Sequence, residues 1–145
     1  MRPIHLFVTA LLLSNAASWA GSAPPKSLVK NAKSGDVSAQ YDLAMHYLFG
    51  KQLSQEGVEL PPNYPQAARW MEHAAREGHA KAQYLLGTLY ERGRGVPRDS
   101  KKAIHWYRQA VNNGNMDAAC PLARLYEKSD MHPKDPEITR PCYMK

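Results

Sequence analysis

From Ala39 to Tyr126 the apolar residues fall at helical spacing. Ala82, Leu86 and Tyr90 recur every four residues, with Leu85 and Leu89 beside them. That is a helical stripe, not the two-residue alternation of a strand. The same pattern occurs three times, as AQYDLAMHY from Ala39, AQYLLGTLY from Ala82 and AACPLARLY from Ala118, with starts 43 and 36 residues apart. Trp70 and Trp106 are 36 apart, and so are Gly78 and Gly114. Pro61, Pro97 and Pro133 keep that spacing twice over, as do Asn63, Asp99 and Asp135. The period is therefore 36, and the first unit carries 7 extra residues between Tyr47 and Asn63.

Each unit reads as two helices. Asp99 precedes the second helix, where its carboxylate can accept from free amides of the first turn. Asn63 and Asp135 hold the equivalent places. Ala103, Trp106 and Ala110 are the expected buried stripe of that helix, and Gly114, Gly78 and Gly35 close the helices that precede them. Ala44, Gly87 and Ala123 put a small residue where a neighbouring helix can approach. The pattern predicts helices over 26–33, 37–49, 64–76, 80–91, 100–112 and 116–128, then a short turn from 136. Ser27 to Gly35 matches the end of a second helix and caps the N-terminal side. The units run over roughly 34–77, 78–113 and 114–145.

This register closely resembles the Sel-one-like repeat (SLR) family, helical-hairpin relatives of the tetratricopeptide repeat. Its motif is present as Ala82, Leu86-Gly87, Tyr90, Gly93, Gly95-Val96, Asp99, Lys102-Ala103, Trp106, Ala110 and Gly114. The resemblance covers roughly Lys26 to Tyr143. It implies an all-α chain, a short solenoid of about three stacked hairpins, since such hairpins bury their apolar faces only by stacking. Unit one departs in its longer loop, Gly50 to Pro62. Unit three has Ser129 and Met131 for Gly93 and Gly95, and Cys142 for Trp106.

The first 20 residues read as a cleaved export signal, leaving 21–145 as the folded domain. Met1-Arg2 gives a positive start, and Ile4 to Leu13 is a mostly apolar run. Ser18-Trp19-Ala20 sets small residues before a cleavage point at Gly21. A run of this length is too short to span a bilayer, which takes about 20 residues. The expected location is periplasmic or secreted, with no stable membrane anchor.

Composition narrows the function. The 145 residues carry 19 Lys+Arg against 13 Asp+Glu, a formal charge of +6. The densest basic stretch, Arg92, Arg94, Arg98, Lys101 and Lys102, has Glu91 beside it and Asp99 within it, and lacks interleaved aromatics. A solvated loop is the better reading than a nucleic-acid site, although a basic face can still steer an acidic partner. Ser27 and Lys30 fit the Ser-x-x-Lys pattern of penicillin-recognising enzymes, but the companion motifs are missing. Some cysteine-rich SLR relatives are associated with β-lactam binding. Their cysteines pair at close helical spacing, which this chain lacks. Of His46, His73, His79, His105 and His132, no two are three or four apart, so none share a helix face at ligand spacing. No catalytic residue, metal or cofactor is expected. Trp70, Trp106, Tyr47, Tyr90 and Tyr126 are expected in the core; Tyr41 and Tyr84 lie one position off the stripe.

Cys120 takes the place of Tyr84, and Cys142 that of Trp106. Both pairs are equidistant from the centre of their hairpin loop, so their members lie at the same height in an antiparallel hairpin. Unit two is expected to stack Tyr84 on Trp106 there, and unit three to form a Cys120–Cys142 disulfide, which an exporting route permits. Pro141 argues against it, because proline disrupts a helix interior.

The leading functional expectation is an exported protein-interaction module. A narrower alternative is an immunity protein that blocks a secreted toxin or enzyme; an enzyme is the third. Self-association through the open solenoid ends stays open. In tetratricopeptide hairpins the first helices line a groove, and the resemblance carries that role to Tyr41, Met45 and Phe49, to Lys81, Tyr84, Thr88 and Arg92, and to Asp117, Arg124 and Lys128. The alternative for Tyr41 and Tyr84 is packing against Trp70 and Trp106. The insertion between Gly50 and Gly57 is a second contact candidate.

Overall fold

A computed structural model describes residues 23–49, 61–130 and 136–143. The expected export signal, the 50–57 insertion, Met131, His132, Pro133 and Asp135 lie outside those residues.

The hairpins follow their local signals. Helices α1 (Lys26–Lys33), α2 (Val37–Phe49), α3 (Tyr64–Arg76), α4 (Ala80–Arg92), α5 (Ser100–Asn112), α6 (Ala119–Lys128) and α7 (Pro136–Tyr143) succeed one another, and each packs on its neighbours in sequence. Among the described residues there is no strand. The stacking of successive antiparallel helices is that of a helical-hairpin solenoid.

The polar punctuation is more regular than the sequence pattern suggested. Asn63 and Asp99 cap α3 and α5, accepting from the Gln66 amide at 3.2 Å and the Lys102 amide at 3.0 Å. A second periodic set caps the first helices. Asp36 accepts from the Ala39 amide at 3.0 Å, His79 Nδ1 from Ala82 at 3.2 Å, and Asn115 from Asp117 at 3.1 Å. These residues each follow a turn glycine, Gly35, Gly78 or Gly114, which is the signal that could have revealed them.

Two expected elements are corrected. The helix expected over 116–128 begins as a 3₁₀ turn, Met116–Ala118, and becomes α-helical only at Ala119. The cause is Pro121: a continuous α-helix would need its missing N–H and would clash with the carbonyl of Asp117. A restart at Ala119 puts Pro121 in a first turn, where no N–H is required. The expected short turn from 136 is instead the two-turn helix α7.

Alanine dominates the buried set, among it Ala44, Ala67, Ala82, Ala103 and Ala118, and lets the helices approach closely. The largest fully buried side chains are Tyr107, Leu43, Met71, Leu86 and Leu122. The expected core tryptophans are half-buried: Trp106 packs on the edge of the main cluster, and Trp70 bridges it to a small N-terminal cluster around Ala32, Ala39 and Leu43. Tyr47 is also half-buried, whereas Tyr90 and Tyr126 are buried as expected. The helices are rotated so that the next residue, Met71 or Tyr107, points at the core centre instead. Gly87 makes room for it. A Cβ at Gly87 would lie 2.7 Å from the Tyr107 ring. Gly95 serves a second close approach, in a left-handed conformation (φ 74°) with the Tyr64 carbonyl where a Cβ would stand.

Cys120 and Cys142 are joined as a disulfide, with Cα atoms 5.2 Å apart. It ties α7 to α6, helped by Ile138 packing on the main core. The stack expected at the equivalent height of unit two differs: Tyr84 leans on Tyr107, ring centroids 5.9 Å apart, while Trp106 meets the His105 ring. The same rotation that buries Tyr107 brings it under Tyr84.

A candidate partner-binding face

The residues expected to line a groove divide into three groups. Phe49, Thr88 and Arg92 converge. They line one cavity of about 200 Å³, together with Leu48, Leu85, Leu89, Pro62, Tyr64 and Arg94. Leu48 and Phe49 end α2, Tyr64 starts α3, and the leucines, Thr88 and Arg92 occupy the last two turns of α4. The site lies where the C-terminal end of α2 meets the last two turns of α4, with the start of α3 and Arg94 beside it. Phe49 is 65% exposed at the mouth, the most exposed large apolar side chain among the described residues.

Arg94 is held across the mouth by Tyr64. Its Nη1 donates to the phenol oxygen at 3.2 Å, and its guanidinium stands over the ring, 5.3 Å from the centroid. Neither contact neutralises its charge. Arg92 is exposed and makes no ion pair with any described residue. Two guanidiniums thus rim an apolar hollow, and among the described residues no carboxylate pairs with either.

A second group is tied into a network that links units two and three. The Tyr107 hydroxyl donates to Glu91 Oε2 at 2.7 Å, and its oxygen lies 3.2 Å from Thr88 Oγ1. Thr88 in turn donates to the Tyr84 carbonyl at 3.1 Å. The other Glu91 oxygen accepts from Arg124 at 2.7 Å. Burial, foremost, pushes the Tyr107 phenol well above its ordinary value; the Thr88 bond opposes this and the Glu91 carboxylate adds to it. A phenol so placed stays protonated and keeps donating. Arg124 is therefore anchored at one end while its side chain stays 63% exposed.

The third group does not join the cavity. Tyr41 is half-buried and stacks on His79, centroids 4.4 Å apart with the planes 20° from parallel. His79 is half-buried and caps α4. Burial, first, and the Lys81 charge hold its pKa below the ordinary value, against its own backbone bond and Asp42. The ring partner of Tyr41 is thus His79 and that of Tyr84 is Tyr107, while both tyrosines, like Trp70 and Trp106, pack against the main core. Met45 packs half-buried on the core. Lys81, Asp117 and Lys128 are exposed and away from the hollow.

Sequence reasoning missed Leu48, Pro62, Tyr64, Leu85, Leu89 and Arg94 as lining residues. Leu48 precedes the long loop, Pro62 and Tyr64 close it, and the other three come from the next unit, so no local spacing joins them. Among the described residues no three of His, Cys, Asp and Glu gather closely enough to hold a metal ion. No helix among them is long and apolar enough to cross a membrane.

Residues 37–79, 80–115 and 117–139 match the family model described as Sel1 repeat. A Sel1 repeat protein from Oxalobacter formigenes has a similar crystal structure: TM-score 0.63, 31% identity, 81% of this chain and 84% of that one. A protective antigen of uropathogenic Escherichia coli strains that displays an SLR fold is also similar, with TM-score 0.60 and 32% identity over 74% of this chain. The match spans only 21% of that antigen's chain. No curated protein matches the chain significantly.

Proposed function

Because the chain belongs to the Sel1 repeat family, we propose that it works outside the cytoplasm and receives its protein partner at the cavity between α2 and α4. Sel1 repeats are in general non-catalytic scaffolds, and the chain is a protein–protein interaction module of that kind. The observation that carries the docking site is Phe49, which stands 65% exposed beside an apolar hollow. Exposed aromatic side chains next to a pocket, with arginine nearby, are the composition of interface hot spots. Export is supported by the positive start, the short apolar run and the small-residue site before Gly21. The disulfide agrees with an oxidising compartment.

A photo-crosslinking amino acid at position 49, in the chain expressed in its native cell, tests the docking site. The expected result is one dominant adduct, identified by mass spectrometry, that is lost when the group is moved to exposed Lys101. Equal adducts from both positions would refute it. N-terminal sequencing of the same material tests export: the expected mature start is Gly21, and an intact Met1 would overturn that part. A toxin or secreted enzyme as the adduct would make this an immunity protein.

A further inference from the structure

The cavity also carries information about what fills it. Its walls are Leu48, Leu85, Leu89 and Phe49, while its mouth holds Arg92 and Arg94. An apolar cavity of about 150 Å³ accepts benzene and stays dry. About 200 Å³ is thus room for one leucine or phenylalanine side chain. Phe49 extends the apolar surface outward from the mouth, enough for a second apolar side chain. The rim then selects for charge. Among the described residues neither Arg92 nor Arg94 has a carboxylate partner, and Arg94 is positioned by Tyr64. Guanidiniums pair with carboxylates in a bidentate manner that lysine cannot reproduce. The chain's net positive charge favours approach of an acidic segment.

We infer that the α2–α4 cavity recognises a short acidic, apolar peptide segment: one large apolar side chain in the hollow, a carboxylate within a residue or two meeting Arg92 and Arg94. This inference rests on the docking site proposed above. An anionic membrane or a nucleic acid would satisfy the arginines and leave the hollow empty, which makes the peptide the better fit.

The test uses the mature chain as bait for a library of random twelve-residue peptides displayed on phage. Enriched peptides are then synthesised with a fluorescein label and titrated by anisotropy. The expected enrichment is Leu, Phe, Ile or Met beside Asp or Glu. Arg92→Glu should weaken the best peptide at least about tenfold, the cost of reversing a rim charge. Phe49→Ala should weaken it about fivefold or more. Both positions are exposed, so circular dichroism should show an unchanged fold. The decisive arm is a second selection on Arg92→Glu with Arg94→Glu, which should enrich apolar peptides flanked by Lys or Arg.

Basic or uncharged peptides on the unaltered chain would overturn the inference, as would no enrichment or peptides insensitive to Arg92→Glu. Sedimentation showing a dimer that Arg92→Glu dissociates would assign the cavity to a second copy. Enrichment only after residues 50–60 are replaced by a Gly-Ser linker would assign it to the chain itself. Binding to vesicles of anionic lipid, lost in Arg92→Glu, with no peptide enriched, would assign it to a membrane. An adduct at position 49 whose contact segment is not acidic leaves the docking site standing and overturns only this inference; loss of both results removes both.

Discussion

Replacing Glu77 by asparagine should stabilise the protein by about 1 kcal/mol. The reason is an imperfect copy between units. Gln40 and Gln83 are the two buried polar side chains among the described residues, 7% and 3% exposed. They hold equivalent places in α2 and α4. Each donates its amide back to the preceding helix, Gln40 to the Ala32 carbonyl at 3.3 Å and Gln83 to Ala75 at 3.0 Å. Their oxygens fare differently. Gln83 Oε1 accepts from the Asn113 amide at 2.9 Å, whereas Gln40 Oε1 is buried without a partner among the described residues. The residue one repeat before Asn113 is Glu77. Both residues end a helix with nearly the same backbone, φ −93° and ψ 15° for Asn113 against −83° and 10° for Glu77. An ionised carboxylate has no hydrogen to give. Asparagine there would supply the donor that unit one lacks. A neutral hydrogen bond contributes about 0.5–1.5 kcal/mol net, and an unmet buried acceptor costs about 1–3. For a domain of this size about 1 kcal/mol corresponds to a rise in melting temperature of about 4 °C. Removing a negative charge from a helix C-terminus would add a few tenths of a kcal/mol on its own. The assay is therefore a cycle of thermal and urea denaturation with Glu77→Asn, Gln40→Met and both together. Most of the gain should vanish in the Gln40→Met background. An equal gain in both backgrounds would show that only the charge matters, and no gain would refute the repeat equivalence of the two caps.

Three other perturbations check the packing and the caps. Gly87→Ala sets a methyl 2.7 Å from the Tyr107 ring; overpacking should outweigh the better helix propensity and destabilise by about 1–2 kcal/mol, and a stabilised variant in urea titration would show that Tyr107 yields freely. Cys120→Ser with Cys142→Ser should cost about 3 kcal/mol for a bridge spanning 22 residues; reductant should lower the wild type to the same midpoint, and no change would mean that Ile138 alone docks α7. Acidification should weaken the fold through His79. Its folded pKa lies below the unfolded value near 6.5, so the unfolded chain binds the extra proton first. The contribution is complete above about pH 6.5 and is lost as pH falls through the folded pKa. His79→Asn, which keeps a cap and cannot titrate, should flatten that part of the stability profile measured by urea denaturation; an unchanged slope would discharge His79.

The sequence by itself determined the period, the helices and their punctuation. Asn63 and Asp99 act on amides three residues away, and Pro121 acts on the turn that contains it, so both effects are written within a few neighbouring letters. The cysteine pairing was also legible, because one hairpin sets the height of its own two helices. Tertiary structure alone decided which aromatic fills the core. Trp70 and Trp106 repeat every 36 residues, but so do Met71 and Tyr107. Adjacent helical positions point about 100° apart, and the period says nothing about how far each helix is rotated. Gly87 fixes that rotation by admitting the Tyr107 ring and no Cβ of its own. The cavity and the Glu91–Tyr107–Arg124 network depend on the same rotation. Tyr64 and Arg94 lie 30 residues apart, and Glu91 and Arg124 lie 33 apart. Such pairs meet only once the hairpins have stacked, since the burial that joins them belongs to neighbouring units and not to any one stretch of chain.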